Sequence, residues 1–276
     1  MNPTPVESPL PGSRQTPAPA ASHRIAVVLS HPIHYFAPNF RRLAREPGIE
    51  LTVLFCSEEG LKASYNAELG IKVRFDTPLL EGYKSRFLRN HAPFPSTASF
   101  LGLFNFGLLR QLRTENYDAV LVLGWGTASM WLAIAAAKLA GLPVMIYGDS
   151  VPLYPLPLWK KVLKSVVLGS LFSLVDVFLI SGMLNRAFYR QFGADPSRMF
   201  LAPWSVDNDY FNRESAQARL TRPQRRRELG IGDRELVCVF VGKLVERKRP
   251  LDILMAVRDI ARDGVLISVL FVGEGP

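Results

Sequence analysis

From residue 24 onward, short apolar runs rich in β-branched residues alternate with longer helical patterns. That alternation restricts the chain to a narrow class of folds. Residues 24–29 (RIAVVL) and 50–56 (ELTVLFC) read as buried strands, separated by a loop at 30–37 and a helix at 38–45 that opens on Pro38. Further strands are expected at 71–75, 119–123, 143–147, 177–180 and 199–202, and helices at 98–113, 127–140, 158–174 and 185–192, with Gly141 closing the Ala-rich one. Parallel neighbours need crossover connections, so the pattern implies a doubly wound parallel sheet with helices on both faces. Residues 77–97 break the rhythm with three prolines and a basic, aromatic middle (Tyr83, Lys84, Arg86, Phe87, Arg89), and a mobile loop is expected there.

A second unit follows a polar, Arg-rich segment at 212–229. It comprises a strand at 235–241, a helix at 250–262 and a strand at 265–272. Two strands are too few for a doubly wound domain of the usual size, roughly 100 residues or more. The 276 residues therefore divide into a leader (1–22), a Rossmann-like domain (23–205), a linker and helix (206–233), and the start of an incomplete second domain (234–276), and the sequence reads as truncated.

Composition narrows the partners. Cys56 and Cys238 lie in apolar runs, which argues against a disulfide scaffold or a multi-cysteine zinc site and suggests a reducing, cytoplasmic setting. Residues 1–22 carry six prolines and no apolar core of the secretory kind, so they read as a disordered leader. The apolar, uncharged run between Lys164 and Asp176 falls well short of the roughly 20 residues that span a bilayer. The net charge of +9 is concentrated late, in an Arg group at 219–227 and in Lys243, Arg247, Lys248 and Arg249. No recognition module accompanies the first group, which fits a solvated interdomain helix, and no nucleic-acid partner is expected.

Residues 239–250 (VFVGKLVERKRP) run from a strand through a glycine turn with two lysines five positions apart and directly into a helix. Glycine lets a diphosphate approach the backbone, the helix N-terminus carries partial positive charge, and lysines neutralise phosphate. An ordinary strand-to-helix turn with solvated lysines has the same spacing. The block at 240–250, followed by 270–276 (LFVGEGP), resembles the donor-domain entrance of GT-B glycosyltransferases, in particular the retaining family 4 enzymes. Residues 203–211 (PWSVDNDYF) resemble their interdomain segment, and Ile180, Ser181 and residues 185–193 the run before it.

The resemblance implies an α/β fold of GT-B type, with one complete Rossmann-like domain and the first β-α-β of a second. It implies transfer of a sugar from a nucleotide-sugar donor to an acceptor hydroxyl with retention, in polysaccharide or glycolipid assembly, with a sugar, lipid-linked or other hydroxyl acceptor. No metal or other cofactor is implied, the nucleotide-diphosphate sugar being a co-substrate. Lys243 and Lys248 would stabilise the donor diphosphate, beside Gly242, Gly273 and Glu274. Lys243 stands where the family usually has arginine, so it keeps the charge and loses the planar fork. Arg249 stands where glycine is common, and Glu274 replaces the commoner aspartate. The family's pair of donor-site glutamates would lie beyond Pro276, so these 276 residues are not expected to catalyse transfer alone. A nucleotide-sugar epimerase shares the architecture and is expected to lack the cation loop, and a noncatalytic binding scaffold is the alternative from another class.

On the first domain, His31 and His34 follow the first strand at the carboxyl edge, where doubly wound folds place ligands. Either would orient an acceptor hydroxyl or phosphate, or cap the loop through backbone hydrogen bonds. Trp125 would stack on a sugar or pack against the next helix. Asp149 would bind acceptor or cap a helix. Lys160, Lys161 and Lys164 beside a long apolar face, and the loop at 83–89, would hold the domain on an anionic membrane surface at the cytoplasmic face; the other reading is a core helix with a solvated lysine edge.

Overall fold

The computed structural model describes residues 22–61, 64–66, 71–73, 77–152 and 157–275. Its strands are β1 (His23–Leu29), β2 (Ile49–Phe55), β3 (Ser64–Asn66), β4 (Ile71–Val73), β5 (Lys84–Phe87), β6 (Ala119–Leu123), β7 (Val144–Gly148), β8 (Val177–Ile180), β9 (Met199–Leu201), β10 (Leu236–Val241) and β11 (Ile267–Val272). The helices are α1 (Ala37–Leu43), α2 (Gly107–Thr114), α3 (Ala128–Leu139), α4 (Leu158–Ser173), α5 (Met183–Gln191), α6 (Asn208–Glu228) and α7 (Pro250–Arg262).

Seven strands form one wholly parallel sheet in the order β5-β2-β1-β6-β7-β8-β9. Alternate residues of β1 feed two separate cores. Val27 and Leu29 join Phe40 of α1 with Leu51, Val53 and Phe55, whereas Ala26 and Val28 join Leu54, Val120, Val122 and the apolar faces of α2, α3 and α4. Strands buried on both faces explain the unbroken apolar runs in the sequence. The expected doubly wound, Rossmann-like α/β fold is therefore the one observed, and its strand order reverses between β1 and β6.

The region between β2 and α2 departs from expectation. Residues 71–73 do not enter the main sheet; they pair antiparallel with β3 in a separate hairpin. The edge strand comes instead from the segment expected to be a mobile loop. β5 pairs parallel with β2, with Phe87 stacked on Phe55 at 5.2 Å and Tyr83, just before the strand, against Phe40 at 5.4 Å. Its outward side carries Arg86, paired with Glu115 at 2.7 Å. An edge strand with one dry face needs only alternate apolar residues, and the charges between them hid it. The helix expected at 98–113 is a 3-10 turn (Phe100–Gly102), an extended connection and then the shorter α2. Asn105 in that connection is fully buried: its amide donates to the carbonyls of Cys56 and Leu88, both at 2.9 Å, and its side-chain oxygen accepts from Ser129 Oγ at 2.7 Å.

α6 is a long helix with no buried residue and holds the Arg-rich run. β10 and β11 pair parallel around α7, and no residue of α7 is buried. Cys56 and Cys238 are both free thiols, and burial pushes Cys56 up to about 12. Of the expected elements, the leader lies outside the described residues except for Ser22, as do residues 74–75 and most of the loop at 152–157. Among the described residues, no helix is long and apolar enough to cross a membrane.

Candidate functional site

The strand order reverses between β1 and β6, and the carboxyl edge of the sheet at such a switch point is the usual ligand position in doubly wound folds. The loops after β1, β6, β7 and β8 meet the solvent on this edge. His31 and His34 sit on the first of them. The His31 ring shares a hydrogen bond with Ser30 Oγ at 2.9 Å. Burial holds the pKa of His31 below the ordinary imidazole value, with Glu59 opposing the shift, and burial likewise lowers His34. Both are therefore disposed to the neutral form, which can accept a proton from a hydroxyl.

Next to them stands an aromatic group not singled out from sequence. Trp204, in the segment after β9, contacts Tyr35 at 5.2 Å, Phe36 at 5.3 Å and Tyr147 at 5.4 Å. Its signal was present in the sequence, since Tyr147 ends a strand at the ligand edge and Trp204 follows one, but only the sheet order makes them neighbours. Asp149 lies exposed at the same edge. Burial, and after it the charge of Asp149, raises the pKa of Tyr35, Tyr147 and Tyr189. Asn185 of α5 clamps this edge from below, donating to Ser150 O at 2.8 Å and accepting from Ser181 N–H at 3.1 Å.

Two of the alternative readings are resolved by packing. Asp149 caps no helix: α4 starts at Leu158 behind Pro157, with no side-chain cap. Trp125 is not an open platform, because Phe188 stacks on it at 6.0 Å and 14° and Lys164 Nζ stands 6.0 Å from its ring centroid. The indole of Trp131 also donates to Trp125 O at 2.9 Å.

A separate group forms at the β10–α7 junction. Gly242 and Gly273 end the paired strands with φ of 154° each. A Cβ at Gly273 would stand 1.9 Å from Gly242 O, so the two turns touch through bare backbone. Leu244 N–H donates to Glu274 O at 2.9 Å, tying the turns together. Lys243 leaves the turn half-buried, and Lys248 is exposed on the 3-10 turn (Glu246–Lys248). Arg249 then takes the left-handed conformation at φ 52° and ψ 48°, and Pro250 opens α7. Glycine adopts that backbone more readily than arginine does. Arg249 Nε donates to Asp252 at 2.6 Å. An open hollow of about 1230 Å³ lies here, lined by Leu244, Arg247, Arg249, Leu251 and Phe271 among others.

No family model and no curated protein sequence matches the chain. Solved structures do. Anabaena HepE in complex with UDP and glucose aligns with a TM-score of 0.57 at 12% identity, covering 91% of this chain and 61% of that one. The UDP-GlcNAc 2-epimerase from Neisseria meningitidis bound to UDP-GlcNAc aligns with a TM-score of 0.56 at 14% identity, covering 90% of this chain and 64% of that one. The chain thus spans less than two thirds of the length of these structures. At such identities the likeness is one of fold, and the shared fold is the Rossmann-like α/β architecture of GT-B type.

Proposed function

We propose that the chain is the acceptor-side domain and donor-site entrance of an enzyme that moves a sugar from a nucleotide-diphosphate donor to an acceptor hydroxyl with retention, in polysaccharide or glycolipid assembly. The observation that carries this reading is the β10–α7 junction, where Gly242 and Gly273 bare the backbone beside Lys243, Lys248 and the start of a helix. Similar folds crystallised with UDP and glucose and with UDP-GlcNAc support it.

In the proposed step, the bond between the anomeric carbon and the diphosphate oxygen breaks and its electron pair leaves with the diphosphate. Lys243 and Lys248 offset that growing charge, together with the peptide dipoles at the head of α7. The acceptor oxygen bonds to the same face of the carbon, and its proton leaves on the nucleoside diphosphate. Glu274, on the loop bonded to Leu244, borders the donor. His31, His34 and Asp149 hold the acceptor, with Tyr35 and Trp204 offering rings for a sugar to rest on. Trp125 serves as a wall rather than a platform.

The Neisseria neighbour favours a second reading, epimerisation of the nucleotide sugar at the same fold. Calorimetric titration of the 276-residue chain with UDP, UDP-glucose and UDP-GlcNAc tests the common premise. Binding that weakens by about tenfold or more in Lys243→Met/Lys248→Met is expected, each charge-assisted contact being worth roughly 1.5–3 kcal/mol. No affinity for any nucleotide sugar overturns the reading in favour of a noncatalytic scaffold. With a protein that carries the whole second domain, NMR of the sugar product separates the two activities: a new glycosidic bond and free nucleotide for transfer, an inverted ring carbon for epimerisation.

A further inference from the structure

α3 begins without a cap at the point where the strand order reverses. β6, which feeds it, pairs with β1 across that point, so the head of α3 opens on the carboxyl edge beside the loop of His31 and His34. A helix leaves its first amides without intrahelical acceptors, and the N-cap side chain usually answers one of them. Thr127 holds the N-cap place in extended backbone, φ −130° and ψ 155°, yet makes no side-chain bond to the helix. The residue is 5% exposed, and its Oγ1 is buried without a partner. Ser129 does not serve instead, because its hydroxyl is bonded to Asn105 N–H at 3.1 Å and Oδ1 at 2.7 Å. Ala128 and Ser129 are both buried, and among the described residues their N–H groups meet no protein acceptor. Buried donors are rarely left so.

The N-cap side chain stands over the first-turn amides, so three unanswered donors converge at one helix head. The space before it is open. Gly124, with φ of 85°, and Gly126 lead into the helix, and a Cβ built on either would meet nothing within 4 Å. Charge selects what belongs there. The peptide dipoles of α3 end at this point in partial positive charge, and no acidic side chain stands in the first turn. Residues 119–148 contain no Asp or Glu at all. Lys164 Nζ, 6.0 Å from the Trp125 ring centroid, adds a full positive charge beside the same loop. A neutral hydroxyl has two lone pairs for these three donors, whereas an oxyanion accepts from all of them and answers the dipole as well.

We propose that the head of α3 is an oxyanion subsite, where Ala128 N–H, Ser129 N–H and the Thr127 hydroxyl hold a carboxylate or phosphate carried by the acceptor. That the occupant is the acceptor rests on the function proposed above. Asp149, on the loop after β7, has the opposite sign, so along this edge an anion is accepted at α3 and repelled at Asp149. The acceptor is thereby oriented with its anion on α3 and its hydroxyls toward His31, His34 and Asp149. Its class is a sugar acid or sugar phosphate, not a neutral sugar.

Nitrogen-15 NMR of the 276-residue chain tests this with no nucleotide present, so a failure here is distinct from a failure to bind nucleotide sugar. Glucuronate or glucose 6-phosphate should shift the Ala128 and Ser129 amide protons downfield in a saturable way, and glucose should not. A response to glucuronate alone identifies a carboxylate, and one to the sugar phosphate alone a phosphate. Thr127→Val keeps the shape and removes one donor, and should weaken binding about tenfold. Thr127→Asp gives the helix a carboxylate of its own and should abolish the response. The proposal is overturned if neither sugar anion moves these amides, if glucose moves them equally, or if inorganic phosphate alone does so. It is likewise overturned if Thr127→Val binds as tightly as the parent and only melts higher, for the hydroxyl is then no more than an unsatisfied group.

Discussion

The phenol of Tyr189 points at the backbone of Gly148, so close that a Cβ there would stand 3.1 Å from its oxygen. The last residue of β7 is thus shaped by a side chain from α5, beneath the edge that carries Asp149. Tyr189 Oη is buried and meets no partner at hydrogen-bonding geometry among the described residues. Gly148→Ala should destabilise by about 1–3 kcal/mol, the usual cost of overpacking. Tyr189→Phe should be close to neutral, because it removes a hydroxyl with no bond to lose. The double variant should recover much of the loss, and urea unfolding of the four proteins checks this. Equal losses with and without the hydroxyl would refute the contact.

Asn105 joins the ends of β2 and β5 to the start of α3 from a fully buried position. Asn105→Ala leaves the carbonyls of Cys56 and Leu88 without their donor. The expected loss is about 2–4 kcal/mol, more than one exposed hydrogen bond contributes. Ser129→Ala removes both the donor to Asn105 Oδ1 and the acceptor of Asn105 N–H at 3.1 Å, so its cost should be comparable, and denaturant midpoints measure the two.

Arg249 is the one described residue other than glycine with positive φ. Arg249→Gly should raise the thermal midpoint by a few degrees, because relief of left-handed strain outweighs loss of an exposed ion pair with Asp252. Arg249→Ala, which retains the strain and loses the pair, should lower it.

His31 and His34 both titrate below their ordinary value of 6.5 because burial disfavours the charged ring. Below pH 6.5 the unfolded chain then binds more protons than the folded one. Their contribution is complete above about pH 7 and is lost as the pH falls through 6.5 toward the folded values. His31→Asn should flatten the fall in stability between about pH 7 and 5 in denaturant titrations, and an unchanged slope would show that His31 is not desolvated in solution.

The parallel sheet could be read from sequence because its central strands are dry on both sides, so β1, β2, β6, β7 and β8 appear as continuous apolar runs. β5 could not, since only alternate residues of Lys84–Phe87 face the core. The interruption of the helix expected at 98–113 was hidden because Asn105 looks like a surface residue until the three partners that bury it are brought together. Trp204 and Tyr189 went unread for the same reason: Tyr35, Tyr147 and Trp204 are far apart along the chain and meet only once β1, β7 and β9 take their places. On α4 the composition was plain, but its rotation was not: Leu158, Trp159, Val162, Leu163 and Val166 are exposed while Leu168, Leu171 and Phe172 are buried, so the solvated edge is apolar. Helical periodicity gives an apolar arc without saying which way it faces.

The ring cluster around Trp204 also determines where the chain is able to pivot. Trp204 is held by Tyr35, Phe36 and Tyr147, and the next residue donates from Ser205 Oγ to Asn39 at 2.9 Å. The chain is therefore riveted to the sheet through Ser205. Asp207 already caps α6, accepting from Tyr210 N–H at 2.9 Å. Any swing of that helix against the sheet must be taken up by the backbone around Val206, which makes α6 a lever with a fulcrum scarcely one residue wide.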